Sequence, residues 1–280
     1  MLPLNSPRWA NLKVCFGYAQ HIADEIQCVY DALDAQPRDD SKLNSAVEQM
    51  LLQCEDLDHQ QTTYTAAGAA VPHYVELLPR LEIETQVDLL WIIATLHYDG
   101  AGSRLKRKET RTPVEKETHF EDLANWYDNA ISDAKSFAIN LAQTDHATPF
   151  SEFRLFEAVA NLIGDNSTYY FLRDTIEFQF MCPSCDVDLI AEQQETCYQI
   201  RVASSDSAAS VLVSPSNSLD EVIKRPYYVS LLPYYEMMVK GNRTAILNWL
   251  KQVLGEFPCP ACDQDSFIAY DDFFRRRLDR

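Results

Sequence analysis

Apolar positions along the chain recur mostly at the spacing of an α-helix. Ala46, Val47, Met50, Leu51 and Cys54 share one helical face, and Val71, Tyr74, Val75, Leu78 and Leu81 repeat the pattern. Leu123, Tyr127, Ala130, Ile131, Ala134, Phe137, Ala138 and Leu141 form a longer stripe, and Phe153, Phe156, Val159, Ala160 and Ile163 another. Residues 89–96 are apolar almost all round, which predicts a helix packed between neighbours. Ser6 before Pro7 marks a helix start, because the hydroxyl can cap and proline fits the first helical position. No strand pattern appears among these segments, so residues 1–175 read as helical hairpins stacked into an α-solenoid. The exception is 98–118, a long connection carrying Gly100, Gly102 and a basic run from Arg104 to Lys108.

After about residue 176 the pattern changes. Cys197, Gln199 and Arg201 alternate with Tyr198, Ile200 and Val202, and Val211-Leu212-Val213 stops at Ser-Pro, so short strands are expected. Residues 226–240 and 242–254 read as two helices separated at Gly241, and Phe267, Ile268 and Tyr270 as a last strand. The second region, 176–280, is therefore a small α+β part.

Composition supports the helical reading. The chain has only 7 glycines in 280 residues, too few for the phosphate turns and hairpins of doubly wound or sandwich folds. Its net charge is −18, which disfavours nucleic acid and anionic lipid and suits a basic partner. The acidity is concentrated early: residues 1–100 carry 5 basic and 15 acidic side chains. No basic segment followed by an apolar stretch opens the chain, and no apolar run approaches the ~20 residues of a membrane span. A cytoplasmic protein with no membrane partner is expected.

The strongest chemical signal lies in the cysteines. Cys182-Pro183-Ser184-Cys185 and Cys259-Pro260-Ala261-Cys262 share the form Phe-x-Cys-Pro-x-Cys-Asp. Two such knuckles can place four thiolates around a structural zinc ion. The 73 residues between Cys185 and Cys259 exceed the spacer of a compact zinc ribbon, so other structure must be inserted there. Asp186 and Asp263 stand where these turns often need a positive φ, which aspartate tolerates. The other four cysteines are expected as buried free thiols, with Cys15, Cys28 and Cys54 in helical patterns and Cys197 in a strand-like one. No Walker loop, G-x-G-x-x-G, H-E-x-x-H or G-x-S-x-G occurs, and the six histidines have no metal-ligand spacing. A non-enzymatic protein is expected.

The string from His59 through Gln60, Gln61, Thr62, Thr63, Tyr64 and Thr65 to Pro72, followed by Glu76-Leu77-Leu78, resembles a segment of bacterial HEAT-like helical-repeat proteins. Many of these look like immunity proteins of polymorphic toxins, and some carry a C-terminal zinc ribbon. Trp9, Leu12, Gly17, Ala19, Ile22 and Ile26 resemble the opening of that family, while Gln61 stands where it usually has glycine. On the residues themselves, Ala66, Ala67, Gly68, Ala69 and Ala70 permit close helix approach, and His59, Gln60, Thr62 and Tyr64 would brace the turn before them.

The resemblance implies a HEAT-like solenoid that binds and blocks one cognate protein toxin with a basic surface. Candidate partner-binding residues are Asp24, Asp31, Asp34, Asp39, Asp40, Asp56 and Asp58, expected along one edge, with Tyr227, Tyr228, Tyr234 and Tyr235 as aromatic anchors. Tyr169 and Tyr170 are further candidates. The alternative is a zinc-containing regulatory adaptor that binds another protein or nucleic acid.

Overall fold

The computed structural model describes residues 1–59, 62–106, 120–146, 151–173, 177–194, 197–204, 210–226 and 228–268. The chain is mainly α-helical, with a small α+β part that carries four clustered cysteines. It divides into two compact units, one of residues 1–138 and 148–164, the other of 139–147 and 165–280. The strands longer than two residues begin at Glu177, near the expected change of pattern, and the second unit takes up the chain again at Asp165. The Asn166–Arg173 helix belongs to it because Phe171 packs on Trp249, with ring centroids 5.1 Å apart.

In the first unit the apolar stripes become helices at Asp40–Leu52, Thr65–Leu77, Ile83–Tyr98, Glu121–Gln143 and Glu152–Ile163, the longest running on into the second unit, and a further helix, Gln20–Asp34, forms outside those stripes. Ser6 caps a short 3-10 turn, Pro7–Asn11, rather than a full helix, and Trp9 in it is wholly buried. Helices Gln20–Asp34 and Asp40–Leu52 pack together, as do Ile83–Tyr98 and Glu152–Ile163. Across the latter pair Trp91 donates to Glu157 at 2.9 Å, and the Arg154 guanidinium lies 5.7 Å from the Trp91 ring.

Three expectations need correction here. The 98–118 connection opens with a helix, Ala101–Lys106, held by Leu105 in the core and by Lys106 on Asp128 at 2.9 Å; residues 107–119 lie outside the described residues. Two short hairpins interrupt the helices, Lys13–Val14 with Gly17–Tyr18 and Asp58–His59 with Thr62–Thr63. Pairs of two residues are too short to register as alternation. Cys15 consequently sits in a hairpin rather than a helix, and Cys28 is exposed rather than buried.

The small-residue string does what its side chains permit. Ala66, Ala67, Ala69 and Ala70 are at most 1% exposed within the Thr65–Leu77 helix. A Cβ built on Gly68 would fall 2.6 Å from Leu105 Cγ, so the absent side chain is what lets Ala101–Lys106 dock. The preceding turn is braced by neighbours of the expected residues: Thr63 Oγ1 donates to the Asp99 carbonyl at 3.1 Å, and Thr65 Oγ1 accepts from Lys13 N–H at 2.9 Å. Tyr64 makes no side-chain cap. Gly68→Val is expected to lower the stability of this unit by about 1–3 kcal/mol through overpacking. Chemical denaturation should show part of that loss restored by a second change, Leu105→Ala.

In the second unit four antiparallel strands, Glu177–Met181, Asp188–Gln193, Tyr198–Val202 and Val211–Leu212, lie side by side in chain order. A separate hairpin pairs Glu256–Pro258 with Asp265–Phe267, and Ser214 bridges to Glu256. Helices Leu232–Lys240 and Thr244–Val253 lie within the long insertion, the first preceded by a 3-10 turn, Val229–Leu231. Trp249 and Tyr198 join helix to sheet, the indole N–H donating to the phenol oxygen at 2.8 Å.

One polar group in this unit gave no signal in the sequence. Arg243 is 2% exposed and donates to the carbonyls of Leu141 and Thr144, both at 2.6 Å, and to that of Ala142 at 3.4 Å. Those carbonyls close the C-terminal end of the Glu121–Gln143 helix. The Leu141 carbonyl also accepts from Thr144 N–H at 3.3 Å, and a cation placed at this end complements the helix dipole.

Candidate metal centre

Both knuckles are hairpin turns. The first joins strands Glu177–Met181 and Asp188–Gln193, and the second joins Glu256–Pro258 and Asp265–Phe267. They share one backbone plan. Cys182 N–H donates to the Val187 carbonyl at 3.0 Å, and Cys259 N–H to that of Gln264 at 2.8 Å. Asp186 and Asp263 N–H return to the Cys182 and Cys259 carbonyls at 3.0 and 2.8 Å. To close these turns Asp186 and Asp263 take φ of 57° and 56°, the left-handed conformation that their sequence position suggested. Phe180 and Phe257, which open the two motifs, meet edge to face with centroids 5.9 Å apart. The repeated Phe-x-Cys-Pro-x-Cys-Asp form thus describes two halves that meet.

The sulfur atoms of Cys182, Cys185, Cys259 and Cys262 all lie within 4.8 Å of one another, and none is in a disulfide. Four sulfurs held tetrahedrally at ~2.3 Å from a metal ion are separated by ~3.8 Å along each edge. The Cys185–Cys259 separation, 3.9 Å, agrees with that edge. Cys182 and Cys259 are buried, and Cys185 and Cys262 are partly covered. The four cysteines could therefore hold a metal ion.

Nearby donors favour charged sulfur and burial opposes it: at Cys182 the donors win, whereas burial keeps the Cys259 thiol raised. Ala261 N–H points to Cys259 Sγ at 3.4 Å, and the Ser266 hydroxyl lies 3.7 Å from Cys182 Sγ. Burial alone would raise the Cys182 pKa. Donors from the Ser184 and Cys185 backbone, Ser266 and Cys259 outweigh it and bring the thiol down to about 6. Such contacts fix ligands and spread their charge, the usual role of groups behind a metal's own ligands.

The candidate acidic residues lie on helices Gln20–Asp34 and Asp40–Leu52, in the turn between them and in the segment that follows. Asp24 and Asp31 are exposed along helix Gln20–Asp34, where they accept from Gln20 and Gln27. Asp34 ends that helix and pairs with Arg80, while Asp40 pairs with Arg38 at 2.8 Å. Asp39 accepts from Ser41 and Lys42 N–H and caps the next helix. Asp56 is half-buried beside His21 at 3.2 Å, and Asp58 has one carboxylate oxygen buried without a hydrogen-bond partner among the described residues.

The tyrosines also divide. Tyr228 and Tyr234 are core residues, not surface anchors: each is at most 2% exposed, donating to the Ile268 carbonyl at 2.7 Å and to Asp165 at 2.9 Å. Tyr169 is buried as well, beside the half-buried Tyr170. Tyr235 is partly exposed and donates to Asp220 at 2.7 Å. Tyr227 lies outside the described residues. Paired tyrosines at helical spacing go inside because one ring can pack while its hydroxyl reaches a buried acceptor.

No helix among the described residues is long and apolar enough to cross a membrane. Compared with known proteins, the chain matches no family model, no curated protein and no solved structure.

Proposed function

We propose that this chain is an immunity protein that binds one cognate toxin of basic surface and blocks it by occlusion, with a zinc ion stapling its C-terminal part. The resemblance of the 59–78 string and of the Trp9–Ile26 residues to HEAT-like immunity proteins carries this reading. Its support in the fold is that these residues build the scaffold: Trp9, Leu12, Ala19, Ile22 and Ile26 are at most 1% exposed, and the small-residue helix is buried from Thr65 to Tyr74. A family signature made of core residues identifies a frame and leaves the partner surface free to differ. Zinc is the ion of choice because four thiolates with no open position suit a structural tetrahedral site. Such a site offers substrate no coordination position, consistent with protection by binding rather than by turnover.

Co-expression with the toxin should rescue cells in proportion to complex formed, with a one-to-one complex on gel filtration. Rescue that persists after binding is abolished, or at substoichiometric dose, would overturn the proposal in favour of an enzyme. Within it, Asp24, Asp31 and Asp40 are the acidic residues to test, since they are exposed and, among the described residues, of the three Asp40 alone forms an ion pair, a local one with Arg38. Reversing all three should slow association several-fold and change dissociation little, with the difference shrinking as salt rises, because the Debye length is ~8 Å at physiological ionic strength. Stopped-flow rates indifferent to salt and to the reversals would remove electrostatic steering from the account.

A further inference from the structure

The first unit carries an open apolar cavity of about 460 Å³. One wall comes from the end of helix Thr65–Leu77 and the turn after it, through Pro72, Glu76 and Pro79. The other is helix Glu121–Gln143, through Trp126, Asp133 and Phe137. Trp126 and Phe137 are half-buried, large apolar rings left partly open to solvent. Glu76 and Asp133, both exposed, are the charged side chains of its lining. Glu76 is held in place by Tyr30, whose hydroxyl donates to one carboxylate oxygen at 2.8 Å.

We infer that this cavity seats an arginine- or lysine-bearing apolar segment of a partner protein. The chemistry of the lining selects that occupant. Long cationic side chains bury their methylene stems on apolar surface while the charged head stays at the rim. Here the rim supplies two carboxylates, and Trp126 supplies an aromatic face of the kind that attracts a guanidinium or ammonium group. An acidic segment would meet like charge from Glu76 and Asp133, and a purely apolar one would bring no counter-charge to either carboxylate. The inference rests on the proposed binding of a basic protein and assigns that binding a place: cations pair at the rim while apolar neighbours cover the two rings.

The test does not need the toxin. A capped six-residue peptide alternating leucine and arginine is titrated into the full chain, with Trp126 followed by the indole N–H resonance and assigned by Trp126→Phe. Saturable binding is expected, weakened about tenfold in Glu76→Gln/Asp133→Asn and by a peptide with citrulline in place of arginine. Both substitutions are at exposed positions, and the amide oxygen introduced in place of the Glu76 carboxylate can still accept from Tyr30. Equal binding of the arginine and citrulline peptides, or of wild type and double variant, would overturn the inference. So would self-association of the free protein that the double variant abolishes, since the occupant would then be a second copy. If the peptide binds as expected and no toxin is neutralised, the immunity reading fails and the cavity's preference stands. If a toxin is neutralised equally by the double variant, the cavity assignment fails and the immunity reading stands.

Discussion

Cys182→Ser or Cys259→Ser is expected to release the metal and unfold the second unit while leaving the helices of the first largely intact. The magnitude follows from the coupling of binding to folding. Structural zinc contributes about 10–16 kcal/mol of apparent binding free energy at neutral pH, comparable with or above the ~5–15 kcal/mol stability of an ordinary domain. The architecture concentrates that loss. Two hairpins from opposite ends of a 73-residue insertion meet at the four sulfurs, where Phe180 also packs on Phe257 and the Ser266 hydroxyl lies 3.7 Å from Cys182 Sγ. Metal analysis should find one zinc per chain in protein purified without chelator and none in either variant. Circular dichroism on heating should then show one helical transition retained. Zinc-free wild-type protein with unchanged melting would overturn the assignment. Cys197, which lies outside the cluster, provides the control: Cys197→Ser should leave metal content unchanged.

The second large effect is expected at Arg243. Arg243→Met keeps much of the side chain's apolar bulk but removes every donor, leaving the Leu141, Ala142 and Thr144 carbonyls without this partner. A buried polar group left unsatisfied costs about 1–3 kcal/mol, so losing three hydrogen bonds at one helix end should cost about 3–5 kcal/mol. Arg243→Lys should recover only part of that loss, because an ammonium is a point donor and cannot span three carbonyls as the guanidinium fork does. Hydrogen exchange should localise the damage to the last turn of the Glu121–Gln143 helix before the global transition. If Arg243→Met melts like wild type, the cap contributes nothing measurable and the turn is held by packing alone.

Together these variants separate the two kinds of tie in the second unit, a four-cysteine cluster written into its sequence and a cation cap that is not. Cys-x-x-Cys pairs are legible because metal ligation constrains residue type and local spacing at once, and the aspartates after them are legible because a positive φ excludes most side chains. The helices of the first unit were equally plain, since burial of one face imposes the 3.6-residue period over many positions. The two-residue hairpins at Lys13–Val14 and Asp58–His59 offered no such repetition, and the Ala101–Lys106 helix was hidden by the basic residues around it. For a helix of one and a half turns, a single docked side chain, Leu105 over Gly68, decides its place more than any period does.

What the sequence determined by itself is therefore whatever depends on neighbours in the chain: the helices, the two knuckles, and the acidity of the first hundred residues. Only the tertiary structure decided which groups meet across long separations. It placed Arg243 on carbonyls 99 to 102 residues away and put the rings of Tyr228 and Tyr234 in the core rather than on a binding surface. It also brought Trp126 opposite Pro72 and Glu76 to form a cavity that no motif announces. The reason is physical. A hydrogen-bonding or aromatic side chain has the same local signature whether its partner is solvent, a buried carbonyl or another protein, and only the packed chain determines which of these it meets.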